Sequence, residues 1–180
     1  MTCGRRQIMS GRDIERSLAR IVLQIIERNY GVEKLAIVGI HTGGVFLAKR
    51  IKGIIVEKEG VDIPLGSLDI SLYRDDWSLA SQSPMVKETN IDFQVEDYTI
   101  ILVDDVLFTG RTIRAALDAI MDFGRPRSIQ LAVLIDRQFG RELPIQPNYA
   151  GYELIERQND HVDVLLTEKD GRDEVLLIPH

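Results

Sequence analysis

Asp104 and Asp105 stand side by side, and Thr109-Gly110-Arg111-Thr112 follows shortly after them. Adjacent ionised carboxylates accept hydrogen bonds from a vicinal diol or help to hold Mg²⁺ through water. Two hydroxyls, a guanidinium and the backbone N–H groups at a helix start suit a phosphate. A diol and a phosphate at this separation describe a ribose 5-phosphate. The same residues also fit a simpler arrangement, an acidic turn followed by a threonine N-cap. The motif alone leaves both open.

The surrounding chain says what would position these groups. Ile100-Ile101-Leu102-Val103 reads as a buried strand that stops at the two acids, and Ile113-Arg114-Ala115-Ala116-Leu117 opens a helix pattern that runs to Phe123. Gly124 and Pro126 are its stop signals. Leu35–Ile40 is a second apolar strand, ending at His41-Thr42-Gly43-Gly44 before helical periodicity resumes from Val45 to Ile51. Two glycines at a strand's carboxyl end let backbone approach a ligand closely, although strand-to-helix turns use glycine for other reasons too. A third strand is expected over Leu65–Leu72, and a fourth over Ser128–Ile135, closed by Asp136-Arg137. Strands alternating with helices imply an α/β fold with a mostly parallel sheet. The polar tract from Tyr73 to Glu96 is long for a loop inside a compact domain, which favours a lid that brings Arg74 and Lys87 to a bound phosphate. Past Gln138 the pattern becomes irregular, and Val162–Leu166 and Val175–Ile178 flank Asp170-Gly171 like a hairpin.

The first helix is expected from an N-cap at Ser10 to about Asn29, with Ile14, Leu18, Ile21, Val22, Ile25 and Ile26 on its buried stripe. Arg12, Arg16 and Arg20 form a row on the other side, read either as a solvated face or as a contact surface for a phosphate backbone. A net charge of −6 argues against a protein sheathed in nucleic acid but allows one basic patch. The 180 residues fit one domain, no apolar run has the length of a membrane span, and no apolar leader follows Arg5-Arg6, so a cytoplasmic protein is expected. One cysteine and three scattered histidines give no zinc spacing.

Residues Ile100 to Thr112 resemble the phosphoribosyl pyrophosphate motif of type I phosphoribosyltransferases. Further segments, among them Glu27-Arg28-Asn29, Asp69 to Asp76 and Arg141 to Ile145, resemble one branch of that family. Its members are pyrimidine-operon attenuation regulators with uracil phosphoribosyltransferase activity. The resemblance implies the type I fold: one domain over residues 1–180, a mostly parallel sheet flanked by helices, a flexible lid loop at about 73–97 and a small hood from about 138–180 with part of the N-terminus. It implies that Asp104 and Asp105 bind the ribose hydroxyls and, through water, Mg²⁺. Thr109, Gly110, Arg111 and Thr112 would hold the 5-phosphate, and Thr42, Gly43 and Gly44 the pyrophosphate. Arg74 would neutralise the departing pyrophosphate. Uracil would lie near Val106, Leu107 and Phe108 and meet Asp136 and Arg137.

The implied reaction converts uracil and phosphoribosyl pyrophosphate to uridine monophosphate and pyrophosphate, with pyrimidine salvage as its setting. The implied second role is regulation of transcription by binding the leader RNA of a pyrimidine operon in response to uridine nucleotides. Arg16, Arg20 and Arg28 are the RNA candidates, while Ala19, Leu23, Gln146 and Tyr152 depart from the polar or basic residues common in such members. His41 and Gly43 likewise stand where a basic residue and an arginine are common. A nucleotide-sensing regulator with vestigial activity and a purine phosphoribosyltransferase are the competing readings. A homodimer or higher even-numbered assembly is expected from the resemblance alone.

Overall fold

The protein is described here by a computed structural model covering residues 4–75, 88–155 and 160–179. Its strands are β1 (Arg6–Ser10), β2 (Leu35–Ile40), β3 (Leu65–Leu68), β4 (Thr99–Leu107), β5 (Ser128–Arg137), β6 (Tyr149–Leu154), β7 (His161–Leu165) and β8 (Glu174–Ile178). Its helices are α1 (Gly11–Asn29), α2 (Gly43–Glu59), α3 (Arg111–Met121) and the short α4 (Thr167–Asp170). Five strands form a parallel sheet in the order β3-β2-β4-β5-β6, and β1-β8-β7 form a separate antiparallel sheet.

Two apolar clusters cover the two faces of the parallel sheet. On one face Ile37, Ile101 and Val103 meet the stripes of α1 (Ile14, Leu18, Ile21, Val22, Ile25) and α2 (Leu47, Ala48, Ile51, Ile55), together with Val162, Val164 and Val175 of the small sheet. On the other, Val38, Ile100 and Leu102 meet Ile113, Ala116 and Ile120 of α3. Strand periodicity of two therefore sorts β4 between the layers. The chain leaves β2 toward β3 on one side, then returns to place β4 on the other. That reversal leaves a crevice at the carboxyl ends of β2 and β4, where the loops 41–42 and 108–110 emerge.

Local chemistry sets the element ends. Ser10 caps α1 in a reciprocal box: its hydroxyl accepts from Asp13 N at 3.3 Å, and the Asp13 carboxylate accepts from Ser10 N at 2.8 Å. The strand expected over Leu65–Leu72 stops at Leu68, because the Asp69 carboxylate accepts from the Ser71 N–H at 2.9 Å and turns the chain into a 3-10 segment over Ser71–Tyr73. The strand expected to stop at the acids instead runs through them to Leu107, still paired with β5. Strands β1 and β6 fall in stretches where no strand was expected. Each has little alternation of its own, and each is ordered by its partner, β8 and β5 respectively. The middle of the expected lid, residues 76–87 and with them Lys87, lies outside the described residues.

Candidate active site

The two acids lie in the second half of β4. Asp104 is 6% exposed, and its Oδ1 accepts from the Asp105 N–H at 2.9 Å. Asp105 is half-buried, and its Oδ1 accepts from the Val106 N–H at 2.8 Å. Each carboxylate thus satisfies the next backbone donor and retains further lone pairs. Burial, with the Asp105 charge beside it, pushes the Asp104 carboxyl well above the usual carboxylate range. Such a pair is poised for donors or a cation.

The glycine turn is seated directly on these acids. A Cβ on Gly44 would collide with the carbonyl oxygen of Val103 and lie 3.1 Å from the Asp104 Cα. A Cβ on Gly43 would collide with an Asp105 carboxylate oxygen and lie 2.9 Å from its Cγ. Only glycine lets the start of α2 meet the end of β4 this closely. The His41–Thr42 peptide is cis, and the His41 ring nitrogen Nε2 lies 3.2 Å from the Glu88 carbonyl.

The second loop closes the crevice from the other side. Gly110, at φ 95°, turns the chain into α3 in a left-handed conformation suited to glycine, and the Thr109 hydroxyl accepts from the Arg111 N–H at 3.3 Å. The first N–H groups of α3, including that of the half-buried Thr112, lack intrahelical partners and face the loop. Segment 142–145 braces the turn: Glu142 N and Leu143 N donate to the Thr109 carbonyl at 2.9 and 3.2 Å. Arg111 is engaged on both sides, donating to Glu142 and to Asp75 at 2.6 Å each. Asp75 directly follows the exposed Arg74, so this contact holds the chain at Arg74 near the Thr109–Thr112 loop.

Beyond the acids lies a cleft of 340 Å³ between the end of the parallel sheet and the small sheet. Asp105, Val106, Phe108 and Arg137 form one wall, and the Arg137 guanidinium stacks 4.0 Å from the centre of the Phe108 ring. Burial lowers the Arg137 pKa from its ordinary value, opposed by the nearby Asp160 charge. The opposite wall comes from His161, Asp163 and Lys169. These three were missed in the sequence, where only the hairpin-like pattern hinted at a wall. Leu107 does not reach the cleft, for its side chain is buried in the α3-side cluster. Asp136 is 2% exposed and accepts from Arg141 Nη2 at 2.5 Å and from Gln138 Nε2 at 2.7 Å, so its carboxylate is engaged inside the wall.

The three arginines named for RNA differ in situation. Arg16 is exposed at the edge of a 530 Å³ depression that also includes Ser17 and Tyr152. Arg20 donates to the Ala150 and Gly151 carbonyls at 3.1 and 2.6 Å, which fastens α1 to β6. Arg28 lies over the Tyr149 ring at 5.9 Å. No group of three or more metal-binding side chains occurs among the described residues, and no described helix is long and apolar enough to cross a membrane.

Residues 4–169 match the model of the phosphoribosyl transferase domain family. The bifunctional protein PyrR of Syntrophobacter fumaroxidans is 52% identical over 174 residues, covering 97% of this chain and 93% of the relative. The bifunctional protein PyrR of Deinococcus radiodurans is 52% identical over 177 residues, covering 98% and 96%. Among solved structures, the hypoxanthine phosphoribosyltransferase of Trypanosoma cruzi superposes with a TM-score of 0.75 at 15% identity, over 96% of this chain and 94% of that one, which speaks to the fold alone. With a glycine loop seated on paired acids at the switch point of this sheet, the chain belongs to the phosphoribosyl transferase family, in the branch of the PyrR proteins.

Proposed function

We propose that the chain transfers a phosphoribosyl group from phosphoribosyl pyrophosphate to uracil, giving uridine monophosphate and pyrophosphate. The observation that carries this reading is the seating of Gly43 and Gly44 on Asp104 and Asp105 beside the Thr109–Thr112 loop. The acids accept from the ribose hydroxyls, the Thr109–Thr112 loop takes the 5-phosphate, and the Thr42–Gly44 turn takes the pyrophosphate at the α2 N-terminus. Uracil enters the cleft beside Val106 and Phe108, with Arg137 in the wall. The small sheet and the segment after β5 serve as the hood, and the chain acts as one domain.

As the bond from C1 to the pyrophosphate oxygen breaks, its electron pair leaves with the pyrophosphate. N1 of uracil then bonds to the oxocarbenium-like C1, and its proton leaves with the pyrophosphate. The departing charge needs stabilising more than the nucleophile needs a strong base. Arg74 meets that charge from the crevice edge, and enclosure keeps water from C1. The two carboxyls would hold a Mg²⁺ through water, and a cation beside them would favour the ionised form that burial and the Asp105 charge disfavour in Asp104. When bound there with the substrate, Mg²⁺ supplies positive charge for the leaving group.

The decisive experiment is product formation from uracil, hypoxanthine and guanine with Mg²⁺ and phosphoribosyl pyrophosphate. Turnover with uracil alone is the expected result. Turnover with a purine alone would overturn the base assignment. Tight binding of uridine monophosphate without turnover would leave a nucleotide sensor. We also propose a regulatory role through pyrimidine leader RNA, in the cytoplasm and in an even-numbered assembly. The exposed Arg16 beside Tyr152 supports an RNA contact on α1. Salt-dependent binding no tighter to leader RNA than to random RNA would sink that role.

A further inference from the structure

One side chain joins helix α2 to the element that carries Lys169 in the wall of the cleft. Helix α2 begins at the glycine turn, and Arg50 lies two turns into it. Its guanidinium makes two carboxylate forks at once. Nε and Nη2 donate to Glu168 at 2.8 and 2.5 Å, and Nη1 and Nη2 donate to Asp173 at 2.8 Å each. Glu168 belongs to α4, and Asp173 directly precedes β8. Paired planar forks of this kind fix orientation as well as proximity. The contact is partly sheltered, with the Arg50 and Asp173 side chains 20% and 19% exposed.

Besides the forks, helix α4 is tied only at its start, where Leu166 is buried in the core and its N–H donates to the Asp170 carboxylate at 2.9 Å. At four residues it is far too short to stand by itself. Asp173 also receives the Thr167 N–H at 2.7 Å and the Thr167 hydroxyl at 2.9 Å, so the carboxylate that grips Arg50 also starts α4. Within α4, Lys169 faces the cleft whose far wall holds Asp105 and Arg137. Strand β7, by contrast, is rooted in the core through Val162, Val164 and the adjoining Leu166. Loss of the forks should therefore release the orientation of α4 without unfolding the sheet.

We propose that Arg50 is a positioning residue for base binding: anchored on the helix that begins at the glycine turn, it holds α4 so that Lys169 stands opposite Asp105 and Arg137. The proposal rests on the transferase reading for its kinetic form. It separates base binding, which depends on the latch, from phosphoribosyl pyrophosphate binding, which lies on the β2 and β4 side.

The test compares the full-length parent with Arg50→Met and Arg50→Lys. Arg50→Met is expected to raise KM for uracil, and Kd for uridine monophosphate, about tenfold, with kcat at saturating uracil and KM for phosphoribosyl pyrophosphate held within about twofold. Arg50→Lys offers no fork and should recover only a fraction of the loss. Amide exchange should quicken over residues 166–174 and stay unchanged over 43–49. If Arg50→Met does not fold, Glu168→Gln and Asp173→Asn each weaken a single fork, and each should show the same split on a smaller scale. An unchanged KM for uracil would overturn the proposal, as would a parallel fall of every parameter with faster exchange throughout α2. Should the parent fail to turn over uracil, the transferase reading falls. Exchange and uridine monophosphate affinity then still decide the latch.

Discussion

Gly43→Ala should separate folding from chemistry. Gly43 is the first residue of α2, and alanine in a helix is favoured over glycine by about 1 kcal/mol. Against this, the new Cβ would collide with an Asp105 carboxylate oxygen, lying 2.9 Å from Cγ and 3.2 Å from Cβ. A side chain, not backbone, must move, and pushing it off its rotamer costs about 0.5–1.5 kcal/mol. The two effects nearly cancel, so the change in stability should stay within about 1 kcal/mol, or about 4 °C in Tm for a chain of this size. Activity should respond quite differently. Displacing the carboxylate proposed to bind ribose by about 1 Å is expected to lower kcat/KM about 100-fold. The assay is initial-rate uracil turnover beside a thermal melt. Gly53→Ala serves as the control, since a Cβ there meets nothing within 4 Å; it should raise Tm by a few degrees and leave the rate alone. Near-parental turnover in Gly43→Ala would refute the reasoning that this glycine exists to seat Asp105. A fall in Tm beyond about 10 °C would refute the claim that only a side chain is displaced.

Other outcomes follow from the same geometry. Asp104→Asn should abolish turnover yet raise the Tm of the ligand-free protein by about 2–6 °C, because it removes a buried carboxyl whose ionised form the fold disfavours; a lower Tm would contradict that account. The Arg50 hydrogen bonds hold the Glu168 and Asp173 carboxyls below their ordinary range. Their contribution is therefore present above the unfolded carboxylate range and is lost as pH falls through the depressed folded values. Arg50→Met should flatten the decline of Tm below about pH 5, and an unaltered slope would show that the forks carry no linkage. Arg20→Ala should lower Tm by several degrees through two lost charged hydrogen bonds, each of about 1.5–3 kcal/mol at most. Arg16→Ala should leave Tm unchanged and reduce the salt slope of RNA binding by about one; the reverse pattern would reassign the two arginines.

The sequence displayed the parallel sheet well, because β2, β4 and β5 are buried on both faces and read as unbroken apolar runs. Helices α1 and α3 showed through their periodic stripes. The glycine turn and the acids were each visible, but their contact was not: nothing in the spacing of Gly43 and Asp105 says that one fills the space a side chain would need at the other. Strand β1 stayed hidden because its pairing partner lies far away in sequence, and β6 because it follows an irregular segment and has little alternation of its own. The wall of His161, Asp163 and Lys169 was hidden as well, since a polar tail carries no periodic mark of the surface it faces. Arg20 shows the limit from another side. Its place in a helical row of arginines suggested solvent or phosphate, whereas its guanidinium closes on two carbonyls of a neighbouring strand.

Arg6 pairs with Leu177, so strand β1 waits for a partner made almost a whole chain later. During synthesis the five-stranded sheet, with its glycine turn and phosphate loop, has all its residues before β8 leaves the ribosome. Closing so long a loop is slow and comes last among the contacts. A nascent chain thus holds the residues of the glycine turn and of the Thr109–Thr112 loop before the wall made by the small sheet is complete. The order of assembly itself finishes the base side of the proposed site last.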